Sequence, residues 1–291
     1  MAKGTKELKR RIRGVRNIKQ ITRAMEMVAT TKLKKLQDRA AATRPFSDKI
    51  QEVVGRLAGM PGMADASPLM EAREVKKVGI MMVTSDKGLC GAYNANIIRS
   101  TLGYVAQNEG PDYAFSLFGK KGYLYLKRRP YTIDYTYEGQ LEKIGYTDVK
   151  VISRALVKDF LDGKIDEARI FYTRFVSTMV QKPVEQKILP ISQEGLLTEG
   201  ADEGPQVDFL LEPSPEAIFK GLLPKFLEVK IYSALMESLA SEYAARRVAM
   251  KAATDASDDM IHSLLRQYNR ARQETITKEL LEVVGGAEAL K

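Results

Sequence analysis

The sequence predicts an α/β protein: a central α/β domain between two long terminal helices that pair as an antiparallel coiled coil. Three observations predict it. Proline is absent from residues 4–44, where Leu8, Val15, Thr22, Ala29 and Leu36 fall seven apart. Between residues 75 and 192, short apolar and aromatic runs alternate with helical stretches, the mark of strands joined by helical crossovers. From 214 to 284 the breakers are Gly221 and Pro224, both near the start, and Val229, Met236, Tyr243, Met250, Ser257 and Leu264 again fall seven apart.

In the first segment, Gly4 and Gly14 interrupt otherwise good helix formers over a length of about 60 Å at 1.5 Å per residue. Ile18 and Met25 take the fourth position of the repeat, with Ile21 and Val28 beside them, and are expected in the seam. Arg11, Lys32 and Arg39 share that position, so the seam is imperfect. Pro45 is a potential kink, beyond which Phe46 to Leu57 can continue the helix. Pro61, Gly62 and Pro68 then break the pattern. Strands are expected at 75–85, 113–118, 131–137, 168–176 and 184–191, with helices at 94–107, 120–129 and 149–161 between them. The stretch from Ser192 to Gln206 reads as a loop. Ser214-Pro215-Glu216 then supplies a cap, a first-turn proline and an early acid for the last helix. Ala240, Ala244, Ala245, Ala249, Ala252 and Ala256 keep that helix thin enough for close packing. The expected divisions are 1–58 (N-terminal coiled-coil helix), 59–74 (linker), 75–192 (α/β domain), 193–213 (loop) and 214–291 (C-terminal coiled-coil helix). Because the two helices differ in length, about 18 C-terminal residues are left unpaired, roughly 27 Å of single helix.

Charge is as unevenly distributed as length. The chain carries 46 basic and 37 acidic residues, and residues 1–60 hold 16 of the former against 5 of the latter. The remainder is close to neutral, so the first helix alone calls for an acidic partner surface, a nucleic acid or an anionic membrane. No apolar run is long enough for a transmembrane helix.

Little side-chain chemistry is available. One cysteine, Cys90, excludes a disulfide framework, and one histidine, His262, excludes a multi-imidazole metal centre. Ser85-Asp86-Lys87-Gly88-Leu89-Cys90-Gly91 follows a strand and precedes a helix, where a phosphate loop would sit. Its G-x-x-G spacing satisfies neither the P-loop nor the dinucleotide pattern, and a structural turn is the better reading. Cys90 reads as a buried small apolar residue and His262 as a solvent-facing one. Met25 and Met27 fit either a contact or a seam.

Ile21-Thr22-Arg23-Ala24-Met25-Glu26-Met27-Val28-Ala29 with Lys32 resembles the N-terminal signature of the gamma subunit of F-type ATP synthase. The stretch from Ile276 to Ala289 fits that family's I-T-x-E-x-x-E-x-x-x-G-A-x-A pattern. The blocks 250–255, 268–273 and 85–91 resemble further family blocks in the same order. The resemblance implies a Rossmann-like body with an antiparallel coiled coil, acting as the central-stalk rotor between proton flow and ATP synthesis or hydrolysis. It implies no catalytic site, cofactor or metal in this chain, which is present in single copy and not as a homo-oligomer. The implied partners are alpha and beta subunits (three of each around the coil), an epsilon subunit and the membrane c-ring, with no nucleic acid. By resemblance Met25, Arg246, Arg272 and Gln273 meet the beta subunits or couple rotation, and Glu212 lies at the c-ring foot. The absence of a transit peptide leads to the expectation of a bacterial chain, peripheral on the cytoplasmic face of the plasma membrane, with a processed organellar chain left open. Without a two-cysteine insert no thiol switching is expected. The rival reading is a basic coiled-coil protein that binds nucleic acid; it lacks aromatic interleaving and any named binding motif.

Overall fold

Strand β1 (Lys77–Val83) is the centre of a sheet because both of its faces are apolar: Val78, Ile80 and Met82 point one way, Gly79 and Met81 the other. The structure, a computed structural model, describes residues 2–63, 67–192, 196 and 212–288. Around β1 the elements follow in chain order: α2 (Tyr93–Gln107), β2 (Asp112–Phe118), α3 (Lys120–Leu126), β3 (Thr132–Thr136), α4 (Tyr146–Leu161), β4 (Glu167–Phe175) and β5 (Gln181–Leu189). They are preceded by α1 (Ala2–Ala58) and followed by α5 (Pro215–Glu288). The sheet order is β3-β2-β1-β4-β5, parallel except for β5, which pairs antiparallel with β4 at the edge. Such a doubly wound order is the Rossmann-like arrangement that the family resemblance implies.

Helices cover both faces of the sheet. Ile97 and Ile98 of α2 and Leu126 of α3 pack with Val78, Ile80, Met82, Phe115, Leu117 and Phe171. The opposite face meets α4, where Val151, Ile152, Ala155 and Leu156 lie over Gly79, Met81, Ala114 and Ser116. Pro183 falls in β5, an edge strand, where its missing N–H costs least.

Two compact units divide the chain. One comprises Met1–Thr30 with Arg246–Lys291, the other Thr31–Ala245. Within the larger unit, α5 is buried on nearly every side from Phe226 to Ala244, including the polar Glu228, Ser238, Ser241 and Glu242. Its start is capped as the sequence predicts: Ser214 Oγ accepts from Ala217 N at 3.2 Å. Helix α1 continues through Pro45, and the expected loop after Ser192 lies outside the described residues except for Leu196.

In the smaller unit, α1 and α5 run antiparallel. Thr22 and Thr254 share a hydroxyl–hydroxyl hydrogen bond at 2.8 Å, and Lys19 pairs with Asp258 at 2.5 Å. Seam residues Thr22, Ala29, Met250 and Ser257 are buried as the sevenfold spacing predicts. The companion position is a correction. Ile12, Thr254 and Ile261 bury, while Ile18 and Met25, expected in the seam, stay exposed. The helices meet along residues four, not three, places beyond the first seam position, which turns 18, 21, 25 and 28 outward.

The close packing yields two stability expectations. At Gly119 φ is +92°, and a Cβ would lie 2.1 Å from the Thr84 carbonyl oxygen. Gly119→Ala should therefore cost about 2–4 kcal/mol in urea unfolding, whereas Gly103→Ala, in open space on a helix, should be neutral or stabilising. Glu167 is buried between Arg169 and Lys187. Burial alone would raise its carboxyl pKa, but hydrogen bonds from Arg169 and Lys187 outweigh this and hold it below the usual 4.5. A depressed carboxylate stabilises the fold above its unfolded pKa and loses that contribution as pH falls through the folded one. Glu167→Gln should therefore cost about 1–3 kcal/mol at neutral pH, a difference that shrinks below pH 4.5.

Candidate partner interface

A doubly wound sheet binds ligands where its strand order reverses, here beyond the C-terminal ends of β1 and β4. That crevice is filled by the chain itself. Tyr93 OH, at the start of α2, donates to the Ser238 carbonyl oxygen at 3.1 Å and lies 2.8 Å from Ser238 Oγ. Thr173 N of β4 donates to Ser238 Oγ at 3.2 Å, and Ser241 Oγ donates to the Thr173 carbonyl at 2.9 Å. Burial raises the Tyr93 hydroxyl pKa far above the ordinary tyrosine value, so it serves as a neutral fastener. Helix α5 thus occupies the place a nucleotide would take.

The turn after β1 is likewise internally satisfied. Ser85 Oγ donates to the Lys87 carbonyl at 2.7 Å and accepts from Asn94 Nδ2 at 2.7 Å. The same amide lies 3.2 Å from Cys90 Sγ, and Cys90 is buried. Asp86 accepts from Lys120 N at 3.2 Å and Leu141 N at 2.9 Å. Leu89 departs from this closed pattern: its φ is +63° and its side chain is exposed. A cavity of about 220 Å³ lies between α4 and the sheet. Its two acids are already bridged, Asp159 to Lys164 at 2.8 Å and Asp134 to Lys77 at 3.9 Å. Among the described residues no three His, Cys, Asp or Glu side chains converge as a metal-ligand set, and His262 is exposed.

Surface, not chemistry, is what the smaller unit offers. Extending the Thr22–Thr254 and Lys19–Asp258 register at 1.5 Å per residue brings the start of α1 opposite about residue 275. Beyond it α5 carries exposed Ile276, Leu280, Leu281, Val283 and Val284, Val283 to 70%. On α1, Ile18, Ile21, Met25 and Val28 form a second outward apolar strip at spacings of three and four. Lys6, Lys9, Arg10, Arg13 and Arg16 line a basic groove at the same end of the chain. Apolar surface of this extent, rimmed by charge, is the signature of a contact with another protein.

The residues named from the sequence separate into distinct places. Met25 is exposed to 38% in the α1 strip, and Arg246 is 9% exposed on the inner side of α5. In the same register they are about 8 Å apart along the axis. Arg272 and Gln273 are exposed near the end of the paired stretch, roughly 30 Å further along. Glu212 belongs to the larger unit and is exposed just before α5. Sequence reading missed Glu142, Tyr146 and Glu228, whose importance comes from partners distant in the chain. A lone glutamate after a strand carries no signal of its own; Lys32, inside a recognised block, was the one available pointer.

The family model described as ATP synthase matches residues 4–290. An ATP synthase gamma chain of Dehalococcoides mccartyi is 43% identical over 284 residues, covering 97% of this chain and 98% of that one. One of Heliobacterium modesticaldum is 42% identical, covering 99% of both. Among solved structures, a chain of the Euglena gracilis mitochondrial ATP synthase (OSCP/F1/c-ring) aligns with a TM-score of 0.69 at 20% identity. It covers 100% of this chain and 95% of that one. The central stalk/c-ring of the Tetrahymena thermophila mitochondrial enzyme gives 0.59 at 23%, covering 80% and 99%. The chain belongs to the gamma-chain family of ATP synthase.

Proposed function

We propose that this chain is the central-stalk rotor of an ATP synthase, a non-catalytic subunit that couples ion flow through a membrane c-ring to ATP synthesis or hydrolysis elsewhere. One observation carries the reading beyond family membership: α5 extends past its partner with Ile276, Leu280, Leu281, Val283 and Val284 exposed over about half of its circumference. A helix of that kind needs an enclosing sleeve. A sleeve of three alpha and three beta subunits around a single copy of the chain fits it, with an epsilon subunit alongside the body and a c-ring below. The division 1–58, 59–74, 75–192, 193–213 and 214–291 then reads as coil, linker, body, loop and coil.

The mechanism follows from asymmetry. A helix pair of unequal length presents a different surface in each direction. A sleeve subunit that binds one face better than another is shifted between conformations as the pair turns. Met25, in the outward apolar strip of α1, meets the sleeve at its mouth, amid the excess positive charge of that helix. Arg272 and Gln273 meet it deeper in. Arg246, inside the pair, holds the coupling region in shape, and Glu212 faces the ring. The chain sits peripherally, on the cytoplasmic face of a bacterial plasma membrane.

Mixing the chain with alpha and beta subunits tests the reading. The expected result is an ATP-hydrolysing complex with one copy of this chain; failure to form it, or tight salt-steep binding to duplex DNA instead, contradicts it. Truncation after Thr275 should leave assembly intact and lower the torque measured on a loaded rotor, because it removes the single-helix tip alone. Loss of assembly would contradict that assignment.

A further inference from the structure

Between β3 and α4, the strip Leu141–Tyr146 touches both terminal helices inside the larger unit. Glu142 sits on a short 3-10 turn, Leu141–Lys143, with Leu141 and Ile144 buried beside it. Lys32 Nζ of α1 reaches the Glu142 carboxylate at 2.6 Å. Tyr243 OH of α5 donates to the same carboxylate at 2.6 Å, and Lys32 stands 5.5 Å over the Tyr243 ring. Two residues on, the Ile144 carbonyl accepts from Arg39 Nη2 of α1 at 2.6 Å, and Arg39 lies 5.7 Å over the ring of Tyr232 of α5. Tyr146 OH then donates to Glu228 of α5 at 2.8 Å, its ring edge-on to Tyr232. The strip is itself tied to the end of β1 through Leu141 N and Asp86.

We infer that the strip 141–146 is the torsional joint between the helix pair and the α/β body, with Glu142 its positioning residue. The inference rests on the rotor reading. Apolar packing resists separation but is non-directional, so smooth helix faces can slip under torque. Charge-assisted hydrogen bonds weaken steeply with angle and therefore resist rotation. Glu142 joins the two helices and the body at one carboxylate, so turning either helix strains the same centre. Burial works against its ionisation, but the bonds from Lys32 and Tyr243 outweigh it and keep the carboxyl below its usual pKa.

The test uses the assembled rotary complex held by its alpha and beta subunits, with a bead on a cysteine introduced at Lys150, exposed on α4. Angular variance of the bead during the pauses between steps reads torsional stiffness. Glu142→Gln removes the charge behind two of the strip's four hydrogen bonds to α1 and α5. For ties acting in parallel, variance should rise about twofold with unloaded hydrolysis unchanged. Tyr243→Phe should give a smaller rise, and the double variant should be no softer than Glu142→Gln alone. Unchanged variance in Glu142→Gln, or softening that adds in the double variant, overturns the inference. A purely structural role would lower the unfolding midpoint and leave the variance of assembled rotors alone, which also overturns it. Should Glu142→Gln fail to assemble, Tyr243→Phe decides: a rise supports the joint and no change overturns it. If the unaltered chain does not rotate, the rotor reading fails and the joint with it.

Discussion

Everything in this protein depends on the antiparallel closeness of α1 and α5, which begin and end the sequence. Their seam mixes Ile12, Met250 and Ile261 with small and short polar side chains, with Ala29 fully buried and Thr22 hydrogen-bonded to Thr254. Small seam residues let two helix backbones approach closely, and the buried hydroxyls satisfy one another across the gap. A Leu-rich seam would bind through more area with less positional definition. The hydroxyl pair and the Lys19–Asp258 bridge instead fix one register. That register sets which apolar side chains are left outside.

The α/β body works as a mount. Its strand order creates a ligand crevice, and α5 fills it through Ser238 and Ser241 against Tyr93 and Thr173. The turn after β1 spends its serine, cysteine and aspartate on internal bonds. The same fold that elsewhere exposes a phosphate loop therefore holds a helix. Fold and function separate here for a visible reason: the site residues have been converted to fasteners.

Much of the fold was legible because it rests on local periodicity. Sevenfold spacing marked the two long helices, and alternating runs marked the sheet. The register of the seam was not legible. Ile18, Ile21, Met25 and Val28 are as apolar as Ile12 and Leu33, and hydropathy cannot distinguish a face buried by the partner helix from one left for another protein. The structure separates them by exposure, 53% at Ile18 against 6% at Ile12. Long-range polar pairing was equally invisible. Glu142 has no sequence neighbour that hints at Lys32 or Tyr243, about 100 residues away on either side. By contrast, the poverty of reactive side chains was visible at once, since one cysteine and one histidine leave little to arrange.

Within the smaller unit, the paired stretch of α1 and α5 is expected to turn as one rigid body, with no sliding or separation of its helices during turnover. Locking the seam tests this directly. Thr22→Cys with Thr254→Cys places two thiols where hydroxyls now touch, and Cys90, being buried, does not compete. Rotation under ATP, followed on single assembled complexes before and after oxidation of that pair, is the measurement. The same stepping and hydrolysis rate are expected with the disulfide closed as with it reduced. Stalling on oxidation and recovery on reduction would contradict it, because the helices would then have to move past each other to work.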